Sequence, residues 1–228
     1  MFRNCSSLTK SPELPATTLA DNCYNIMFQK CSSLTKSPAL PATTLANNCY
    51  NYMFQDCSSL TQAPALPATT LADSCYDSMF QDCTSLTQAP ALPATTLANS
   101  CYNYMFKNCS SLTQAPALPA TTLADNCYGS MFYSCTSLAQ APTIKTYTPN
   151  LQAFAYMLNI SNYDTNEWSL TSCNWPDLTL SEAESMVLNE KIFGYNYSEA
   201  SVRISITCKD GSGTVYYDSG KRSWVFEH

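Results

Sequence analysis

"CYDSMFQDCTSL", residues 75–86, recurs along the chain as CYNIMFQKCSSL, CYNYMFQDCSSL, CYNYMFKNCSSL and CYGSMFYSCTSL. The Met-Phe-x-x-Cys element falls at Met1, Met27, Met53, Met79, Met105 and Met131, a fixed step of 26 residues. The block LPATTLA keeps the same step, beginning at Leu14, Leu40, Leu66, Leu92 and Leu118. Self-similarity at this period marks a stacked array, in which each unit buries its faces against its neighbours. The first unit lacks its front half, so the chain reads as a piece of a longer product.

Working outward from that stretch, the apolar positions Leu71, Cys75, Tyr76, Met79, Phe80, Cys83 and Leu86 are spaced mostly by three and four. Such spacing predicts one face of a short helix. Asp73 stands ahead of it as an N-cap, and Asp21, Asn47, Asn99 and Asp125 hold the equivalent place. Pro90 and Pro93 forbid helix in the following segment and leave room for a short strand only at 86–89. The expected unit is strand, proline-rich turn, extended ATTLA segment and helix. Repeated, it predicts an α/β solenoid with short parallel strands on one side and short helices on the other. Cys75, Tyr76, Met79, Phe80, Cys83 and Leu86 form its expected core.

The cysteines follow from the same geometry. On a helix, Cys75 and Cys83 are about 12 Å apart along the axis, whereas a disulfide tolerates about 7 Å between Cα atoms. Equivalent cysteines on stacked helices lie about 8–10 Å apart. The ladder is therefore expected to be buried, reduced thiol acting as a small hydrophobe. Cys173 and Cys208 stand outside it, and either pair or remain two thiols. His228 is the only histidine and no close-spaced Cys/His set occurs, so neither a metal nor another cofactor is expected.

The repeat, in the form MFQDCTSLTQAPALPATTLA, resembles the BspA-like leucine-rich repeats over residues 1 to about 142, with a weaker copy through Phe154 to Met157. The resemblance implies a leucine-rich-repeat-like, right-handed superhelix from a surface protein of host-associated bacteria, used for adhesion or ligand contact. Similar repeats occur in proteins of phages that infect such bacteria. The 26-residue unit is longer than is usual in that family.

Composition narrows the partners. A net charge of −6 argues against nucleic acid and against an anionic membrane surface, which need clustered Lys and Arg. No apolar run is long enough to span a bilayer, and no signal peptide precedes MFRNC. Two sets of residues are candidate contacts for a protein or carbohydrate ligand. Thr61, Gln62, Thr87, Gln88, Thr113 and Gln114 form a polar stripe on the expected strand side. Tyr52 and Tyr104 recur two units apart on the expected helical side, since pairs before Met-Phe alternate between neighbouring units.

Beyond residue 143 the composition shifts. The stretch DLTLSEAESMVLNEKIF predicts a helix, with Ser181 and Glu184 at capping-box spacing. The segment 201–226 alternates apolar and polar residues around DGSG and DSG, which predicts two or three antiparallel strands. The expected division is a solenoid over 1–158 and a C-terminal α+β capping module over 159–228, with Trp168, Trp175 and Trp224 in its core. Glu182, Glu184 and Glu190 read as a solvated helix face, and nothing assembles a catalytic set. The chain is thus expected to be a non-enzymatic binding or adhesion module of the cell surface, or else a structural spacer or a phage virion-associated recognition protein.

Overall fold

The computed structural model describes residues 2–159, 169–194 and 202–228. Its repeats lie one on another as rungs, but the rungs are not built as the spacing predicts. Cys75, Asp77, Met79, Gln81 and Cys83 each donate their amide three residues back, to the carbonyls of Ala72, Ser74, Tyr76, Ser78 and Phe80. The residues between them donate instead into the next rung. Ser74, Tyr76, Ser78, Phe80 and Asp82 reach Asn99, Cys101, Asn103, Met105 and Lys107 at 2.8–3.0 Å.

An α-helix would take every one of those amides to the residue four back. Here alternate amides leave the segment, so it is a run of linked turns and not a helix. The left-handed backbone that this requires appears every fourth residue, with φ of 54° at Ser74, 55° at Ser78 and 61° at Asp82. Asn, Asp and Ser fill many of these places, and Asn and Asp in particular tolerate the conformation. Spacings of three and four therefore describe this coil as well as they describe a helix.

The expectation of an α/β solenoid with many helices is overturned. Among the described residues the single α-helix is α1, Leu180–Leu188, and the only sheet is a mixed one of four strands. No strand forms at 86–89 either. Single parallel bridges link Gln62 to Gln88, Gln88 to Gln114, Thr44 to Thr70 and Thr96 to Thr122. The prolines between the two bridge points of a rung, such as Pro90 and Pro93 between Gln88 and Thr96, remove donors that a longer ladder needs.

The cap positions act across rungs. Asn47 N donates to Asp21 Oδ1 at 2.9 Å, Asp73 N to Asn47 Oδ1 at 3.2 Å, and Asn99 N to Asp73 Oδ1 at 3.0 Å. This is a side-chain ladder along the stack and not helix capping. Its alternation of Asp and Asn keeps carboxylates two rungs apart, where adjacent ones would repel.

Side chains stack in the same register. Phe2, Phe28, Phe54, Phe80, Phe106 and Phe132 form one column with ring centroids 5.6–5.7 Å apart. Tyr24, Tyr50, Tyr76, Tyr102 and Tyr128 form a second at 5.7–5.9 Å, continued by Phe154. Cys75, Tyr76, Met79, Phe80, Cys83 and Leu86 are at most 1% exposed. All the cysteines are free thiols; Cys5 is exposed and Cys23 half-buried, so the ladder is not buried along its whole length.

The last rung is covered by the segment that follows it. Strand β1 (Ser172–Trp175) pairs in parallel with β2 (Arg203–Cys208), and β3 (Gly211–Asp218) and β4 (Ser223–Glu227) continue antiparallel in the order β1-β2-β3-β4. A bridge from Gln140 to Ser172 carries the register of the rungs into this sheet. Helix α1 packs on the sheet, its N-terminus closed by a Thr179–Glu182 capping box and not by Ser181 and Glu184. Gly213 is required where it lies, because a Cβ would come within 2.7 Å of the Phe226 ring and the Glu227 carbonyl. Trp175 and Trp224 are buried, donating from Nε1 to the carbonyls of Pro142 and Gly194. Trp168 lies outside the described residues.

Candidate functional site

The stack brings the Thr–Gln stripe together as a surface. Thr61, Thr87 and Thr113 are exposed, and beside them Gln62, Gln88 and Gln114 are exposed and bridged rung to rung. Parallel pairing fixes the step at about 4.8 Å. Gln88 is bridged on both sides, to Gln62 and to Gln114, and the stripe there offers amide and hydroxyl side chains. Leu86 and Leu112, just before the pairs, are fully buried and anchor them from beneath.

The stripe is longer than the six residues singled out in the sequence. Lys10, Lys36 and Gln140 occupy the same column and are exposed, with Lys10 bridged in parallel to Lys36. The 26-residue step alone would have found them. Beside this column lie open grooves, one of about 430 Å³ lined by Lys10, Pro12, Lys36 and Pro38, another of about 450 Å³ lined by Gln114, Ala117, Gln140 and Pro142.

Tyr52 and Tyr104 are half-buried, each with a φ of 53°. A bulky residue in that region is a strained placement. Between them Ser78 is only 1% exposed, and beyond Tyr104 Ser130 is 6% exposed. Alternation of Tyr with Ser down this column thus serves packing: large side chains flank small ones. Lys107 Nζ lies 5.0 Å from the Tyr104 ring centroid and 5.3 Å from that of Tyr133, a cation held between two rings. The tyrosines and the Thr–Gln stripe occupy separate columns of the rung.

The buried thiols of the rungs are poor nucleophiles. Burial pushes Cys57 and Cys75 up to about 12 and Cys49 to about 11, so thiolate is scarce at neutral pH. Cys173 and Cys208 are separate thiols on adjacent strands, Cys173 aligned with Ile206 and Trp175 with Cys208. No group of three or more Cys, His, Asp or Glu side chains fit to hold a metal occurs among the described residues.

One carboxylate departs from the solvated face expected of it. Glu182 belongs to the capping box and Glu184 meets His228 at 3.2 Å, but Glu190 lies past the end of α1 and is 2% exposed. Its Oε2 accepts the Phe154 amide at 2.7 Å. At the equivalent place one rung earlier, Tyr128 donates to the Ala153 carbonyl. Glu190 therefore supplies the acceptor that a further rung would have supplied, and Ile192 does the same for the Leu158 amide at 2.8 Å. Burial raises the Glu190 carboxyl, opposed by the Phe154 amide and the Tyr147 hydroxyl.

No protein-family model, curated protein or solved structure matches this chain. No helix among the described residues is long and apolar enough to cross a membrane.

Proposed function

We propose that this chain is a non-enzymatic recognition module, a rigid stack presenting the Thr–Gln stripe to a protein or glycan at a bacterial cell surface. It would act at the surface or in secreted form as part of a longer product, with residues 169–194 and 202–228 closing the stack. The observation that carries the reading is the exposure of Thr61, Gln62, Thr87, Gln88, Thr113 and Gln114 in one register on a backbone with every rung bonded to the next. Pre-ordered polar groups lower the entropic cost of binding. The likeness of the repeat to the BspA-like pattern supports the surface and adhesion part of the reading; a phage virion-associated host-recognition protein is the alternative that similar repeats in phage proteins suggest.

A second reading, a structural spacer, is favoured by the continuous Phe and Tyr columns, which stiffen the array whatever it displays. Immobilised protein screened against glycans and host-cell extracts separates the two. Binding that is lost when Gln62, Gln88 and Gln114 are changed to Ala supports recognition. Silence across the screen supports the spacer.

A further inference from the structure

We propose that the cavity between the end of α1 and the β3–β4 hairpin binds a small aryl carboxylate, at a site apart from the Thr–Gln stripe. The cavity holds about 280 Å³ and is open to solvent. Small-molecule sites run from about 300 Å³ upward, so this one admits a single ring with its acid group and not a polymer.

Its walls are apolar. Val187 and Trp224 are buried and Tyr217 is half-buried. Leu188, 43% exposed, is the one exposed large hydrophobic among the described residues. Three contacts hold the Trp224 ring in place. Its Nε1 donates to the Gly194 carbonyl at 2.9 Å, and the Phe193 and Tyr217 rings lie 5.3 and 5.6 Å away between centroids, tilted and edge-on. An aromatic ligand beside Leu188 would meet rings already ordered and would cover the exposed leucine.

Charge decides the other half of the ligand. Among the described lining residues the charged ones are Lys191 and Arg222. The carboxylates nearest to them in sequence are committed elsewhere. Glu190 accepts the Phe154 amide at 2.7 Å, and Asp218 accepts the Lys221 amide at 3.0 Å and pairs with its ammonium at 3.6 Å. Glu184 meets His228, and Glu227 meets Arg203. Arg222 makes no ion pair among the described residues. A ligand carboxylate would give its guanidinium the charge-assisted partner that the protein does not supply.

The backbone singles out the same two residues. Beyond residue 159, Lys191 and Arg222 are the only described non-glycine residues with positive φ, 52° and 53°. In the rungs that conformation serves the bonds between neighbours, but these two lie outside the rungs. Strain of this kind gathers at ligand clamps.

The test is calorimetric titration of the full chain with phenylacetate, beside phenylacetamide, acetate and phenethylamine. Phenylacetate should bind at least about tenfold tighter than the neutral amide, by a margin that shrinks in salt. R222G should lose about tenfold. Because glycine takes this backbone without strain, the variant should melt no lower than the parent, which separates lost binding from lost folding. L188A should weaken phenylacetate about threefold and keep the preference for acid over amide. The peptide Ac-Gly-Gly-Phe distinguishes the sources of such a group: tighter binding than phenylacetate assigns a peptide C-terminus, and weaker binding a free acid. Equal binding of the amide or of acetate, no binding of phenylacetate, or an affinity unchanged in R222G would each overturn the assignment. The stripe is tested separately, since changing Gln62, Gln88 and Gln114 leaves this cavity untouched.

Discussion

Cys83 donates its thiol hydrogen to the Phe54 carbonyl oxygen of the preceding rung at 3.1 Å, and the same oxygen accepts the Cys57 amide at 3.0 Å. The bond recurs from Cys57 to Phe28, Cys109 to Phe80 and Cys135 to Phe106. The second cysteine of each repeat is thus more than a filler: it supplies a weak donor to a buried carbonyl. Substituting Cys83 with Ala should cost about 1–3 kcal/mol, from a lost partner and a small cavity. Chemical denaturation of the variant checks this, and an unchanged midpoint would remove the thiol ladder from the account.

Labelling should divide the cysteines in two. Cys5 and Cys23 should react quickly in the native state, while the eleven buried thiols should react only on unfolding. Because Cys57 and Cys75 are held near 12, raising the pH to about 9 should scarcely speed their reaction. Mass spectrometry of alkylated native protein at two pH values gives the answer directly.

Phe80→Ala opens a hole inside a column in which Phe54, Phe80 and Phe106 stack at 5.7 Å. The expected loss is about 3–5 kcal/mol by denaturant unfolding. A loss below about 1 kcal/mol would mean that the ring is not shut between rungs.

Glu190 predicts a pH dependence with a definite sign. Its carboxyl is raised in the fold, so the unfolded chain ionises first as pH increases. Its contribution is fully present below the unfolded value of about 4.3 and is lost as pH rises through the folded value. Glu190→Gln keeps an acceptor for the Phe154 amide without the charge. It should flatten this decline and be at least as stable as the parent at pH 7. Glu190→Ala strands that amide and should cost about 1–3 kcal/mol. Thermal melts of the two variants from pH 4 to 8 compare them, and equal behaviour of Gln and Ala would deny the residue its closing role.

The Asp–Asn alternation can be tested by breaking it. Asn99→Asp sets three carboxylates on consecutive rungs, at 73, 99 and 125, without removing the oxygen acceptor. The variant should melt lower than the parent at low ionic strength and recover in salt, which screens exposed charges beyond about 3 Å at 1 M. A melting temperature independent of both substitution and salt would show that the alternation is inherited without an electrostatic purpose.

What the sequence determined by itself was the repeat: its 26-residue step, the identity of the apolar positions, the exposure pattern of the Thr–Gln column and the change of character near residue 143. Identical side chains at a fixed interval can pack only like on like, and that is readable without coordinates. Lys10, Lys36 and Gln140 were legible in the same way. The sheet at 203–227 could be anticipated from alternation, but β1 could not, since its pairing with β2 spans a long stretch of chain. Only the tertiary structure decided that Cys75 to Cys83 is a run of turns. Apolar spacing of three and four reports which side of a coil is buried, not where its amides go. That choice depends on a neighbouring rung in register to receive every second N–H, as Met105 receives Phe80. Glu190 was misjudged for the same reason: its burial comes from an amide at Phe154, 36 residues away, that lacked a rung to bond to.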